Sequence, residues 1–124
     1  MNRGIITINK TGAVTMPIAP VWMTKFEIAD LLGVFSCDIR KAVRSIYKNK
    51  ELNEVETRRY IKQPDGISYD TYSIEMIIAV VFRVCSRESI QLRQFIIGKM
   101  SVTTKETPIN LFISCGRGNN LWHS

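Results

Sequence analysis

Residues 24–48 read TKFEIADLLGVFSCDIRKAVRSIYK and carry the signals of two helices joined by a tight turn. Thr24 and Glu27, three positions apart, form a capping box, in which each side chain accepts a hydrogen bond from a backbone N–H at the helix start. Apolar residues recur at helical spacing on both sides of Gly33, which can adopt the positive φ that ends a helix. The stretch therefore predicts one helix after Thr24, a turn at Gly33 and a second helix over residues 37–48.

The same positions match the pattern of a helix-turn-helix. This motif has a small residue in its first helix, a glycine at the turn about four residues later, and apolar residues around the bend. Ala29 and Gly33 occupy the first two positions, and Ser36 is placed to cap the second helix. The apolar positions are filled by Ile28, Leu32, Val34, Ile39 and Ala42. Because the full set falls in one window, we predict a helix-turn-helix over residues 24–48.

The outward face of the second helix is basic. Arg40, Arg44 and Lys48 are four residues apart, and Lys41 lies beside them. Like charges at this spacing repel each other by roughly a few tenths of a kcal/mol per pair. A polyanion opposite would convert this repulsion into attraction, whereas the alternative is a solvated basic face. We favour binding to a DNA groove because the charges lie on the helix that the turn pattern marks as the groove-entering one.

A β-hairpin is predicted directly after this helix, over residues 55–72. Two β-prone runs flank Asp65-Gly66, which is a strong hairpin signal. A helix-turn-helix followed by a hairpin is the arrangement of a winged helix, and such a wing can follow a phosphate strand or enter the minor groove. The wing cations are candidate backbone contacts, and an ordinary solvated strand face is the alternative. These cations are Arg58, Arg59 and Lys62.

Further elements are predicted on either side of this region. Residues 4–16 have the pattern of a hairpin, Ser73 is placed to cap a buried third helix, and a fourth helix follows over 86–97. The fourth helix has apolar residues on two sides, which leaves open a larger single core or a homodimer through this helix. These residues are Ile90, Leu92, Phe95, Ile96 and Ile97. We therefore predict one α+β domain, winged helix-turn-helix-like, over 1–100, and a tail over 101–124 with one possible strand.

Composition narrows the functional classes. The chain has 124 residues and a net charge of +6, which suits a single domain with a polyanionic partner. The absence of a secretory signal and of a membrane-length apolar run leads us to expect a cytoplasmic protein without membrane contact. The only histidine is His123, the acidic residues are scattered, and the cysteines lack metal-ligand spacing. We expect no enzyme activity, catalytic residue, metal, cofactor or small-molecule substrate, and a buried filler role for Cys37.

A series of short segments occurs in a fixed order along residues 21–97. These segments are VWMT at 21–24, the helix-turn-helix, KEL at 50–52, DG at 65–66, Tyr72, II at 77–78, FRV at 82–84, SR at 86–87 and QLR at 91–93. In this order they resemble the RhuM virulence-associated family.

The resemblance implies a bacterial protein tied to mobile or pathogenicity-associated DNA, with a DNA-binding N-terminal region. Family members continue with further helical sequence, so no activity of that portion is carried over to this chain. Arg83, Arg87 and Arg93 match family positions. They could contact phosphate, but we expect paired structural roles for them in a helix corner.

The leading prediction is a DNA-binding protein, either a transcriptional regulator or a mobile-element-associated factor. It would read the major groove of double-stranded DNA with helix 37–48 and grip the backbone with the wing. The alternative is a protein–protein interaction module, adaptor or antitoxin-like, which would use the fourth helix and the tail strand of the same scaffold. The predicted DNA-binding residues are Arg40, Lys41, Arg44, Ser45, Tyr47, Lys48, Arg58, Arg59 and Lys62.

Overall fold

The computed structural model of the chain describes residues 3–101, which have a mixed α+β architecture, in agreement with the predicted fold class. The described strands form two small antiparallel sheets, one of two strands in the order β1-β2 and one of three strands in the order β3-β5-β4. The elements in chain order are β1 (Thr7–Ile8), β2 (Val14–Thr15), β3 (Trp22–Thr24), α1 (Lys25–Leu32), α2 (Ser36–Lys48), α3 (Glu54–Thr57), β4 (Arg58–Lys62), β5 (Ser68–Ser73), α4 (Ile74–Val81) and α5 (Arg87–Ser101).

Helix α1 begins at a complete capping box and ends at a left-handed glycine. The Thr24 hydroxyl accepts a hydrogen bond from the Glu27 N–H at 3.1 Å, and the Glu27 carboxylate accepts one from the Thr24 N–H at 2.8 Å. Gly33 has φ 67°, and its N–H donates to carbonyls of the last turn. Because a residue with a Cβ rarely adopts this conformation, the glycine fixes where α1 stops and where α2 begins.

The start of α2 differs from the prediction that Ser36 is its cap. Phe35 is the N-cap, with extended backbone, and Ser36 is the first helical residue. The Phe35 N–H donates to the carboxylate of Asp38 at 3.3 Å. An acidic side chain at the third helical position reaches back to the N-cap N–H, as in a capping box. This contact defines the helix start one residue before the predicted cap.

The buried core lies where α1, α2, α4 and α5 meet the three-stranded sheet. Each of these helices contributes side chains at helical spacing, and β3 and β5 contribute one face of the sheet. Since a helix buries one stripe and leaves the rest in solvent, this core fixes the rotation of every helix about its axis. The principal buried residues are Met23, Ile28, Leu32, Ile39, Ile46, Tyr72, Met76, Ile77, Val80 and Leu92.

The predicted hairpin over 55–72 is present, but its first strand starts later. Residues 54–57 form the single helical turn α3, so the expected strand at 55–57 is wrong. Asn53 caps this turn, since its side chain accepts from the Val55 N–H at 2.8 Å. Strand β4 then pairs with β5 over its whole length, and the connecting turn holds Gly66 at φ 86°. Asparagine is a preferred N-cap, which explains why a short helix replaces the strand.

The remaining elements match the expected types, with shifted ends. The predicted hairpin at 4–16 has two paired residues in each strand, and α4 starts directly after Ser73. The Ser73 hydroxyl makes no capping hydrogen bond. Helix α5 continues through Gly98 to Ser101, past the predicted end at residue 97, and the predicted strand in the tail lies outside the described residues. None of the helices in residues 3–101 is long and apolar enough to cross a membrane.

The N-terminal segment is attached to α1 through Arg3. Its guanidinium donates to the Trp22 carbonyl at 2.8 Å and to both carboxylate oxygens of Glu27, at 2.7 and 3.1 Å. Burial alone would raise the pKa of Glu27, but hydrogen bonds from Arg3 and from the Thr24 N–H hold that pKa below its ordinary value. The Glu27 carboxylate therefore caps α1 and joins the N-terminal segment to it in its charged form.

Glu27→Gln should lower the free energy of unfolding by about 1–2 kcal/mol at pH 7, because a charge-assisted bond to Arg3 is lost. The pKa of Glu27 is lower in the folded protein than its ordinary value of 4.5. The contribution of the Glu27 charge to stability is therefore complete above pH 4.5 and is lost as the pH falls through the folded-state pKa. Urea unfolding between pH 3 and pH 8 measures this difference. Glu75→Gln is the control, since Glu75 is exposed and forms no ion pair within residues 3–101. A deficit independent of pH would contradict the ion pair.

Arg93 joins the end of α4 to α5 from inside the protein. The residue is 4% exposed, and its guanidinium donates to the carbonyls of Val81 at 3.1 Å and Val84 at 2.7 Å. Burial lowers the pKa of Arg93 from its ordinary value. These carbonyls lie at the corner after α4, so Arg93 has the structural role expected from the sequence. Arg83 is also structural, since it pairs with Glu51. Arg87 is exposed and forms no ion pair within residues 3–101, so the paired structural role expected for it was wrong.

Arg93→Gln should destabilise the fold by about 2–3 kcal/mol, because buried carbonyls lose a charged donor and the shorter side chain leaves unfilled space. Arg87→Gln on the same helix should change stability by less than about 0.5 kcal/mol, since Arg87 is exposed. Chemical unfolding of the two variants and the wild type makes the comparison. Equal stabilities for the two variants would show that the carbonyl contacts of Arg93 contribute little.

Candidate nucleic-acid interface

Helix α2 has an apolar side and a basic side. Ile39, Val43 and Ile46 face the core and are buried. The four cations of the helix are exposed, and at 3.6 residues per turn they fall within an arc of about 100°. Since the buried stripe fixes the rotation of α2, the cations must face solvent together. They are Arg40, Lys41, Arg44 and Lys48.

These four cations have no ionic partner in the described part of the chain. The ion pairs within residues 3–101 use Arg3, Arg58 and Arg83, and none includes a cation of α2. The acidic residue of the first turn of α2, Asp38, is engaged with the backbone of Phe35. The basic side of α2 is therefore a patch of positive charge that no carboxylate of residues 3–101 neutralises.

Two predicted site residues at the end of α2 are partly buried. Ser45 is half-buried, and the Tyr47 hydroxyl lies 2.8 Å from the hydroxyl of Thr57. The Thr57 hydroxyl donates its hydrogen to the Asn53 carbonyl, so Tyr47 is the donor in their shared bond. Burial raises the pKa of Tyr47, which keeps the hydroxyl protonated for this role. The contact ties the end of α2 to α3, just before the hairpin.

The three predicted cations of the hairpin are in three different situations. Arg58 pairs with Glu54 at 2.7 Å and lies 3.9 Å from Asp70. Lys62 is exposed and without an ion pair in residues 3–101. Arg59 stacks on Trp22, with its Cζ atom 4.4 Å from the ring centroid. Stacking uses the face of a guanidinium and leaves its in-plane N–H groups available for an anion.

Trp22 also links the hairpin to the start of α1. It is half-buried in β3, and β3 leads without interruption into that helix. Trp22 is opposite Ser73 of β5, and β5 in turn pairs with β4. Trp22 thus packs as a structural residue, and its stack with Arg59 adds to the hydrogen-bonded ladder that joins the hairpin to the helix pair.

Two exposed aromatic residues on the elements of the candidate interface were not identified from the sequence. Phe35 is 77% exposed at the start of α2, and Tyr60 is 73% exposed on β4. By strand alternation, Tyr60 lies on the same face as Arg58 and Lys62. Phe35 follows Val34 and Tyr60 precedes Ile61, so the apolar pattern alone could not separate these two aromatic residues from core residues. Cys37 is likewise exposed with a free thiol, so the expectation of a buried filler was wrong.

Helix α5 places most of its apolar residues within the chain's own core. Leu92 is buried, and Phe95 and Ile96 pack against the core cluster. Ile90 and Met100 are the exposed large apolar residues of this helix in the described part of the chain. An apolar cavity of about 320 Å³ lies between α4 and α5, bordered also by Ile6. This placement favours a larger single core for these residues, and the homodimer stays a prediction.

Within residues 3–101, no group of three or more His, Cys, Asp or Glu side chains is placed to hold a metal ion. In comparisons with known proteins, the chain matched no family model, no curated protein and no solved structure. The geometry and charge of α2 and of the β4–β5 hairpin are therefore the basis for a functional proposal.

Tyr47→Phe should lower the free energy of unfolding by about 1 kcal/mol, because the Thr57 hydroxyl loses its donor. A double-mutant cycle with Thr57→Val measures the coupling, which should account for most of this loss. Chemical denaturation of the four proteins provides the values. A coupling energy near zero, together with wild-type stability of Tyr47→Phe, would contradict a structural role for the Tyr47 hydroxyl. The phosphate contact that the sequence predicts would then be the favoured role.

Proposed function

We propose that this chain is a winged-helix DNA-binding protein that reads the major groove of double-stranded DNA with α2. The observation that carries the proposal is the basic side of α2, whose four exposed cations have no carboxylate partner within residues 3–101. These cations repel one another, and the packing of α2 on the core keeps them together on one side of the helix. A polyanion removes this repulsion and gains counterion release.

The sheet topology supports the winged-helix assignment. Strand β5 pairs with β3 on one side and with β4 on the other. Because β3 runs directly into α1, the hairpin and the helix pair form one hydrogen-bonded unit. The wing therefore has a fixed position relative to α2, as is required of two elements that grip one duplex at the same time.

The dimensions of α2 suit the major groove. A helix with its side chains is about 10–12 Å across, and the groove is about 12 Å wide. The cations from Arg40 to Lys48 extend over about 12 Å of the helix axis. In this arrangement Arg40, Lys41 and Arg44 face the groove, where an arginine can bind guanine O6 and N7 with two hydrogen bonds.

The other predicted residues either contact DNA phosphates or hold the wing in position. Lys48, Arg59 and Lys62 contact phosphates in the proposed complex, with Arg59 held in position by Trp22. Arg58 is committed to Glu54 and Tyr47 to Thr57, so both act chiefly through the position of the wing. The resemblance to the RhuM family is what leads us to propose a bacterial regulator or mobile-element-associated factor.

A protein–protein interaction module is the second candidate, and the apolar cavity between α4 and α5 is the observation that favours it. Partner affinity would then depend on Phe95 and Ile96, which border the cavity, and not on Arg40 or Arg44. Substitutions on α2 therefore distinguish the two candidates.

Binding of the full chain to a random-sequence duplex should be micromolar at low salt and should fall steeply as salt increases. Arg40→Ala/Arg44→Ala should weaken binding about tenfold or more and reduce the slope of log K against log salt by about 2. Fluorescence anisotropy from 50 to 300 mM salt measures both quantities.

The matched control removes the same charge elsewhere. Lys10→Ala/Arg87→Ala substitutes one cation in the β1–β2 turn and one at the start of α5, both exposed. This variant should keep the wild-type salt slope. If both double variants weakened binding equally, the effect would come from the net charge of the protein and not from the position of the cations on α2. No binding by folded wild-type protein at low salt would reject the proposal and direct the search to a protein partner.

A further inference from the structure

Phe35 presents a large apolar ring to solvent at the start of α2. It is 77% exposed, yet it is the N-cap residue of the helix, a position where polar side chains are strongly preferred. Its neighbour Val34 behaves differently, since Val34 is half-buried and packs against the core. The fold therefore gains neither a cap hydrogen bond nor burial from the Phe35 side chain.

The backbone of Phe35 is nevertheless held firmly. Its N–H donates to the Asp38 carboxylate at 3.3 Å, and its carbonyl accepts from the N–H groups of Asp38 at 3.0 Å and Ile39 at 3.4 Å. On the preceding side, the Val34 N–H donates to the Ala29 carbonyl at 3.0 Å. The ring thus projects from a fixed point on the helix start, and its use in binding would not require ordering of a loop.

Phe35 lies at the start of the helix that carries the four cations, and the Asp38 carboxylate accepts a hydrogen bond from its N–H. Arg40 and Lys41 follow at about 8–9 Å along the helix axis, and Arg44 at about 14 Å. The N-terminal end of a helix also carries the positive end of its dipole. In a groove-reading helix, the N-terminal residues are those that reach base edges. Phe35 is therefore an apolar group at the reading end of a basic helix.

The base edges in the major groove offer an apolar group at one place. Guanine, cytosine and adenine present hydrogen-bond donors and acceptors there, whereas thymine also presents its C5-methyl group. A phenylalanine ring has no hydrogen-bonding group and matches that methyl. We infer that Phe35 contacts the C5-methyl group of a thymine and gives this protein a preference for thymine over uracil or cytosine at that position. This inference rests on the proposed DNA-binding function.

The test uses two duplexes that differ only in the methyl group, an alternating A·T duplex and the same duplex with deoxyuridine in place of thymidine. Wild-type protein should bind the thymine duplex about fourfold more tightly, as expected for burial of one methyl group. Phe35→Asn should bind both duplexes with equal affinity. Asparagine is a favoured N-cap residue, so this variant should stay folded, which circular dichroism and thermal unfolding verify.

Two controls separate this contact from other effects. Ile18→Ala removes a fully exposed apolar side chain between β2 and β3 and should retain the fourfold ratio. Arg44→Ala should weaken binding to both duplexes and leave the ratio unchanged. A ratio of one in wild-type protein, or a fourfold ratio that persists in Phe35→Asn, would overturn the inference while leaving DNA binding intact. Binding of neither duplex by wild-type protein would instead reject the proposed function, and the inference with it.

Discussion

The burial of one stripe of α2 is the constraint on which the candidate site depends. Ile39, Val43 and Ile46 occupy the core between α1, α4 and the three-stranded sheet. A helix has only one rotation about its axis that buries such a stripe, so the opposite side is determined at the same time. The core thus places four cations in solvent without any specific contact to hold them there. The same packing that stabilises the fold presents the charge.

The cations of this chain differ in whether they have a partner within the protein, and this difference depends on the element that carries them. Arg3, Arg83 and Arg93 are bound to carboxylates or carbonyls that join separate elements. The cations of α2 have no such partner in residues 3–101. On β4, Arg58 is ion-paired, Arg59 is stacked on Trp22, and Lys62 has no ion pair within the same residues. A structural arginine is recognised by the acceptors around it. The cations of α2, which have no such acceptors in residues 3–101, are available to a partner outside the chain.

Local signals in the sequence predicted much of this arrangement. The capping box at Thr24 and the glycine at 33 fixed the first helix and the turn because both act through neighbouring residues. The errors arose where a local capping contact other than the predicted one set the start of an element. Asp38 displaced the predicted cap of α2, and Asn53 converted the start of the predicted strand into α3.

The pairing state of the candidate site residues was not accessible from the sequence. Whether Arg58 meets Asp70 depends on the register of β4 against β5, and the Arg59 stack depends on β3 being in the same sheet. Phe35 and Val34 are adjacent apolar residues, and only the tertiary fold shows that one packs inward and the other outward. Periodicity predicts which face is buried, whereas exposure at a turn depends on backbone geometry that no pattern encodes.

The position of β4 at the edge of the three-stranded sheet has a consequence for the behaviour of the protein in solution. Among residues 3–101 no strand pairs with its outer backbone groups, and such an edge is a template on which a strand from another molecule could add. Charged side chains on an edge strand oppose such addition, because two copies would bring like charges together. Arg58, Arg59 and Lys62 therefore protect the sheet against self-association. A variant that neutralised all three would gain a tendency to aggregate, whatever its effect on a ligand.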